Sequence, residues 1–91
     1  MIFVNDSGLE LVLETDISLA VAILTQVAWK SPSGLSGTWN GSPINGTQIL
    51  YTTQPGNLNE VGRWELQAKV TFLTKVVHGK KVTVQVDNVT N

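Results

Sequence analysis

The feature that most constrains this chain is the stretch Trp64 to Phe72, where apolar and polar side chains alternate without a break. Trp64, Leu66, Ala68, Val70 and Phe72 hold the even positions, while Arg63, Glu65, Gln67, Lys69 and Thr71 hold the odd ones. A repeat of two sends all five apolar groups to one side, so the pattern predicts a strand with one buried and one wet face. Val82, Val84 and Val86 repeat it against Lys81, Thr83, Gln85 and Asp87. The interval Thr74 to Gly79 is short enough for a hairpin, with His78 at its tip, so the two strands are expected to be antiparallel neighbours.

A two-stranded ribbon is not stable alone, and further strands are available to complete it. Leu9, Leu11 and Leu13 alternate with Glu10, Val12 and Glu14 after the Asn5-Asp6-Ser7-Gly8 turn signal. Residues 47 to 53, rich in Thr, Ile and Tyr, lie between Asn45-Gly46 and Pro55-Gly56. Residues 17 to 30 carry both periods. Asp16 suits a helix cap, and Ile17, Ala20, Val21, Leu24, Val27 and Ala28 follow helical spacing, whereas Ile23, Thr25, Val27 and Trp29 alternate as in a strand. The β-branched residues and the closing Pro32 favour a turn at Asp16 to Ala20 and a strand from Val21 to Lys30. Another strand is expected around Thr38-Trp39-Asn40. Short strands separated by Gly, Pro and Asn predict an all-β antiparallel sandwich of about seven strands. The 91 residues fit one such domain, residues 1–91.

Composition narrows the functions. Charged residues make up 14% and the net charge is −1, so a basic face for nucleic acid or anionic lipid is not expected. No cysteine is present, which excludes a disulfide framework and thiolate metal sites. The run Leu19 to Leu24 is far shorter than the roughly 20 apolar residues of a membrane-spanning helix, so a soluble chain is expected. Four Asn-x-Ser/Thr sequences, at Asn5, Asn40, Asn45 and Asn88, read as turn chemistry rather than as glycan acceptors.

Catalytic groups are scarce. His78 is the single histidine, and a nucleophile–base pair needs a base in a sheltered place. Glu10 and Glu14 are four apart on the expected first strand, about 13 Å by strand rise, too far for a carboxylate pair. Asp6, Glu10, Glu14 and Asp16 lack the regular oxygen spacing of a calcium loop, and the glycines do not form a phosphate-cradling loop. No cofactor, metal site or enzyme activity is expected.

The run Leu58-Asn59-Glu60-Val61-Gly62-Arg63-Trp64-Glu65-Leu66 resembles the entry to the penultimate strand of immunoglobulin-like domains. Trp64 stands in place of the usual corner tyrosine, which implies that packing is kept and the hydroxyl hydrogen bond is lost. Leu66 stands where antibody domains carry a cysteine. Asp16-Ile17-Ser18, Lys30-Ser31-Pro32-Ser33-Gly34 before Gly37-Thr38-Trp39, Tyr51 to Leu58, and Gly62 to Ala68 extend the likeness. Together, across residues 16 to 86, they resemble short immunoglobulin-like proteins of tailed bacteriophages and prophages, found on baseplates, tails and capsid surfaces. Membership would imply a virion component made in the host cytoplasm and present in many copies, contacting other virion proteins and itself.

Six residues are candidates for partner contacts. Trp39 lies in a polar, glycine-rich stretch and fits either a core position or a half-exposed anchor. Tyr51 would join it if the protein were instead a receptor- or glycan-binding module using loops at one end. Lys75, His78, Lys80 and Lys81 make the last hairpin basic, while Glu10, Glu14 and Asp16 make the first strand acidic. They form either a solvated rim or head-to-tail contacts between copies around a ring.

Overall fold

The computed structural model describes residues 2–89 and contains only strands, turns and loops among them. Eight strands form, β1 (Ile2–Phe3), β2 (Glu10–Glu14), β3 (Leu24–Lys30), β4 (Ser36–Asn40), β5 (Ser42–Ile44), β6 (Gln48–Thr52), β7 (Gly62–Thr71) and β8 (Val76–Asp87). They build a five-stranded sheet in the order β1-β8-β7-β3-β4 and a three-stranded sheet in the order β2-β6-β5. All neighbours are antiparallel except β1, which lies parallel to β8 with Ile2 opposite Val86 and Phe3 opposite Asp87. The fold is all-β and sandwich-like.

β7 is the central strand of the larger sheet, flanked by β8 from Gly62 onward and by β3 from Glu65 to Thr71. Its even residues Trp64, Leu66, Ala68 and Val70 are buried and its odd residues are partly or fully exposed, as the alternation requires. Each such apolar side chain stabilises by about 1.5–3 kcal/mol when fully buried. β2 and β6 supply the opposing layer through Leu13 and Ile49, which face each other in register. One cluster, around Val27, Ile49, Leu66 and Val70, fills one half of the interior. A second, of Leu58, Trp64 and Val86, fills the other half, and Trp29 and Trp39 pack against both.

The hairpin departs from expectation. The β7–β8 turn is Phe72 to Lys75, closed by the Phe72 N–H donating to the Lys75 carbonyl at 2.7 Å. His78 is therefore not at a tip: it sits within β8, opposite Lys69. Gly79 is not a turn residue either, because the register shifts between Gln67 and Lys69, the signature of a bulge. A Cβ on Gly79 would lie 3.2 Å from the Ala68 Cβ and 3.5 Å from the Glu14 carbonyl oxygen, a close approach that a side chain would meet only if Ala68 gave way by a few tenths of an ångström. The Gln67 amide nitrogen donates to the Gly79 carbonyl at 2.8 Å. The extra residue also changes the inward parity of β8, from Val77 opposite Val70 to Val82 opposite Leu66.

Three other differences are local. β3 begins at Leu24 rather than Val21, and residues 15–23 form a loop with neither helix nor strand. Leu19 is buried beneath that loop, and its N–H donates to the Gly46 carbonyl, so one apolar anchor replaces a helical stripe. β1 and β5 are additional strands, bringing the total above the expected seven. Trp64 also makes a hydrogen bond that the sequence reading did not expect: its indole N–H donates to the Glu60 carbonyl at 3.0 Å. Among the sequons, Asn5 and Asn45 adopt positive φ, in keeping with turn chemistry, while Asn40 ends β4. Thr90 of the Asn88 sequence lies outside the described residues.

Candidate functional site

Three loops meet at one end of the sandwich, residues 15–23, 45–47 and 72–75. They are tied together by the Leu19 N–H to the Gly46 carbonyl, the Thr15 hydroxyl to the Thr47 carbonyl (2.6 Å) and the Ile23 N–H to the Thr71 carbonyl (2.8 Å). Between the first and last of these loops an open groove of about 800 Å³ is lined by Ile17, Val21, Ile23, Phe72, Leu73 and Val77, among others. Val21 is 78%, Ile23 63% and Leu73 87% exposed, and Leu24 and Val76 are exposed beside them. Half of the large exposed apolar residues of the described chain are thus gathered at this end. Sequence reading missed this groove because Val21 and Ile23 were assigned to a strand and Leu73 to no element.

Lys75 is the one sequence-derived candidate that lines the groove. Its ammonium lies 5.4 Å from the centre of the Phe72 ring, a cation–π distance that sets a charge at the apolar rim. His78, Lys80 and Lys81 are exposed further along β8. His78 lies opposite Lys69 and Lys81 opposite Gln67, on the outward side of the sheet.

Trp39 and Tyr51 lie elsewhere. Their rings stack on each other at 4.9 Å and 12°, and Trp39 also stacks on Trp29 at 5.7 Å and approaches Trp64 at 6.4 Å. Of the two readings of Trp39, the geometry favours the core position: it is partly buried, alternates inward on β4 and packs against both clusters, and its polar neighbours Thr38 and Asn40 are the outward face. Trp29 lies over β4 so closely that a Cβ on Gly37 would come within 2.7 Å of its ring. The Tyr51 hydroxyl donates to the Asn57 side-chain oxygen, which also accepts from the Gln54 N–H at 2.7 Å. Burial pushes the Tyr51 phenol above its ordinary pKa, partly offset by that hydrogen bond.

On the other layer, Glu10 and Glu14 stand exposed on the outward face of β2. The Asp16 N–H donates to the Glu14 carboxylate at 2.9 Å and, with weaker help from Thr47, holds it below the usual carboxylate range. No group of three or more His, Cys, Asp or Glu with metal-binding geometry occurs among the described residues, and no helix there is long and apolar enough to cross a membrane. The distinctive surfaces of the described residues are an apolar groove with a cationic rim, a basic strand and an acidic strand. Comparison with protein families, curated proteins and solved structures finds no match to this chain.

Proposed function

We propose that the chain is a non-enzymatic structural module of a tailed-phage virion, immunoglobulin-like in fold, that assembles, decorates or attaches through contacts made at its loop end. The apolar groove carries this reading. Val21, Ile23 and Leu73 are large, largely exposed and adjacent, and a contiguous patch of that kind is a protein-docking surface.

The immunoglobulin-like part of the reading is supported by strand order. A sheet β8-β7-β3-β4 facing a sheet β2-β6-β5 follows the G-F-C-C′ and B-E-D arrangement of those domains. Trp29 of β3 packs on the cluster that holds Leu13 of β2 and Leu66 of β7, the two strands that antibody domains join by a disulfide. The Trp64 bond to the Glu60 carbonyl stands for the tyrosine corner. In this correspondence residues 15–23 and 72–75 are the B–C and F–G loops, which in variable domains make the contacts.

The test is incorporation into particles. Phage particles produced in the presence of the tagged chain should retain it through a density gradient. The double variant Val21→Asp/Leu73→Asp should be lost from them. A wild-type chain that never accompanies particles, yet binds glycans in an array, overturns the proposal in favour of a receptor- or glycan-binding module.

A further inference from the structure

We infer that two copies of this chain pair edge to edge about a two-fold axis along the strands, the basic edge of β8 in each taking the acidic strand β2 of the other. The inference rests on the reading of the chain as an assembly module and names one partner for it, a second copy.

Both edges are open. Among the described residues, β8 is paired on its outer side only at Val86 and Asp87, by β1, so Val76 to Gln85 has no strand beside it there. β2 is paired with β6 alone, so the outer side of Glu10 to Glu14 is free as well. Both lie on the same flank, since the Gly79 position of β8 is within 3.5 Å of the Glu14 carbonyl at the end of β2. Their directions are opposite: β2 runs toward the loop end, and β8 runs away from it after the Phe72–Lys75 turn.

That geometry admits two symmetric pairings. A two-fold perpendicular to the sheets sets β8 against β8, bringing His78, Lys80 and Lys81 of both copies together, and β2 against β2, bringing Glu10 and Glu14 together. Like charges directly opposite disfavour it. A two-fold along the strands instead exchanges the layers, so that each β8 meets the other copy's β2, antiparallel, twice per dimer. The lysines that guard β8 against its own kind thus select an acidic strand.

The side chains match in parity. Such an axis keeps each residue at its height, and Glu14 lies at the level of Gly79 within one chain. Glu14 of the second copy therefore meets Lys80 and Lys81, and the five residues Lys81 to Gln85 beyond the bulge run against the five of β2. On the outward face, Lys81 then pairs with a carboxylate. On the inward face, Leu11 and Leu13 extend the core past Val84 and Val82, and the 45% exposure of Val82 is covered.

Sedimentation of the full chain tests this. The wild type should run at twice the 9.9 kDa chain mass. Lys80→Glu/Lys81→Glu, and separately Glu10→Lys/Glu14→Lys, should each weaken self-association by about 100-fold. An equimolar mixture of the two reversed chains should restore the dimer, which also shows that both remain folded. A wild type that is monomeric throughout, a dimer that survives both reversals, or a mixture that does not recover overturns the pairing. Particle incorporation is read separately, so loss of the dimer with incorporation intact removes only this inference, and the converse removes only the virion reading.

Discussion

The two ends of the sandwich are built on opposite terms. At the end away from the groove, polar groups are consumed in holding the chain: Ser33 donates through its N–H and hydroxyl to the Glu60 carboxylate, the Glu60 carbonyl accepts from Trp64, and Asn57 accepts from both Gln54 and Tyr51. Three of the four aromatic contacts, among Trp29, Trp39 and Trp64, lie in or beside the cluster that closes this half. At the groove end the loop 15–23 is anchored by buried Leu19, with Ile17 and Ala22 packed partly against the core, while its large apolar residues Val21 and Ile23 face outward. One end holds the fold together, and the other leaves apolar surface exposed.

Substitutions sharpen that contrast. Trp64→Ala removes the largest fully buried side chain and its hydrogen bond, and should cost about 3–5 kcal/mol in urea unfolding. Tyr51→Phe keeps the stacking on Trp39 but withdraws the hydroxyl from Asn57, and should cost about 1 kcal/mol by the same measurement. Val21→Asp/Leu73→Asp should leave the unfolding midpoint within about 0.5 kcal/mol per site of the wild type, although both residues are large and apolar. If the groove variant destabilised as much as Trp64→Ala, the division of labour between the ends would be wrong.

What could be read from sequence followed from how far a pattern runs unbroken. Glu65 to Thr71 lies between two strands, so the alternation through β7 is complete and the strand is legible. β8 was read only from Val82 onward, because the bulge at Gly79 switches the phase and a glycine beside a histidine looks like a turn. β1 and β5, of two and three residues, are too short to show any period. Residues 17–30 carry two periods, of which the alternation through Thr25, Val27 and Trp29 is used in β3, with Thr25 and Val27 buried, whereas the helical spacing is not used and residues 17–23 form a loop. Trp39 reads both as core and as half-exposed anchor because the polar residues beside it are the outward half of the same strand. The basic and acidic groups were visible as strings of charge, but their placement on the same flank depends on how the sheets stack, which no local pattern encodes.

The indole at the corner has a consequence for alkaline solution. A phenol in that place would shed its proton near pH 10 and lose its role as donor, whereas the Trp64 N–H does not ionise in that range. The hydroxyl that can ionise in base is instead that of Tyr51. Its pKa is raised in the fold, so its contribution is fully present below the ordinary tyrosine value and is lost as pH rises through the raised one. In base the Trp64–Glu60 hydrogen bond thus keeps its donor, while Tyr51, stacked on Trp39, gives up the proton that it donates to Asn57.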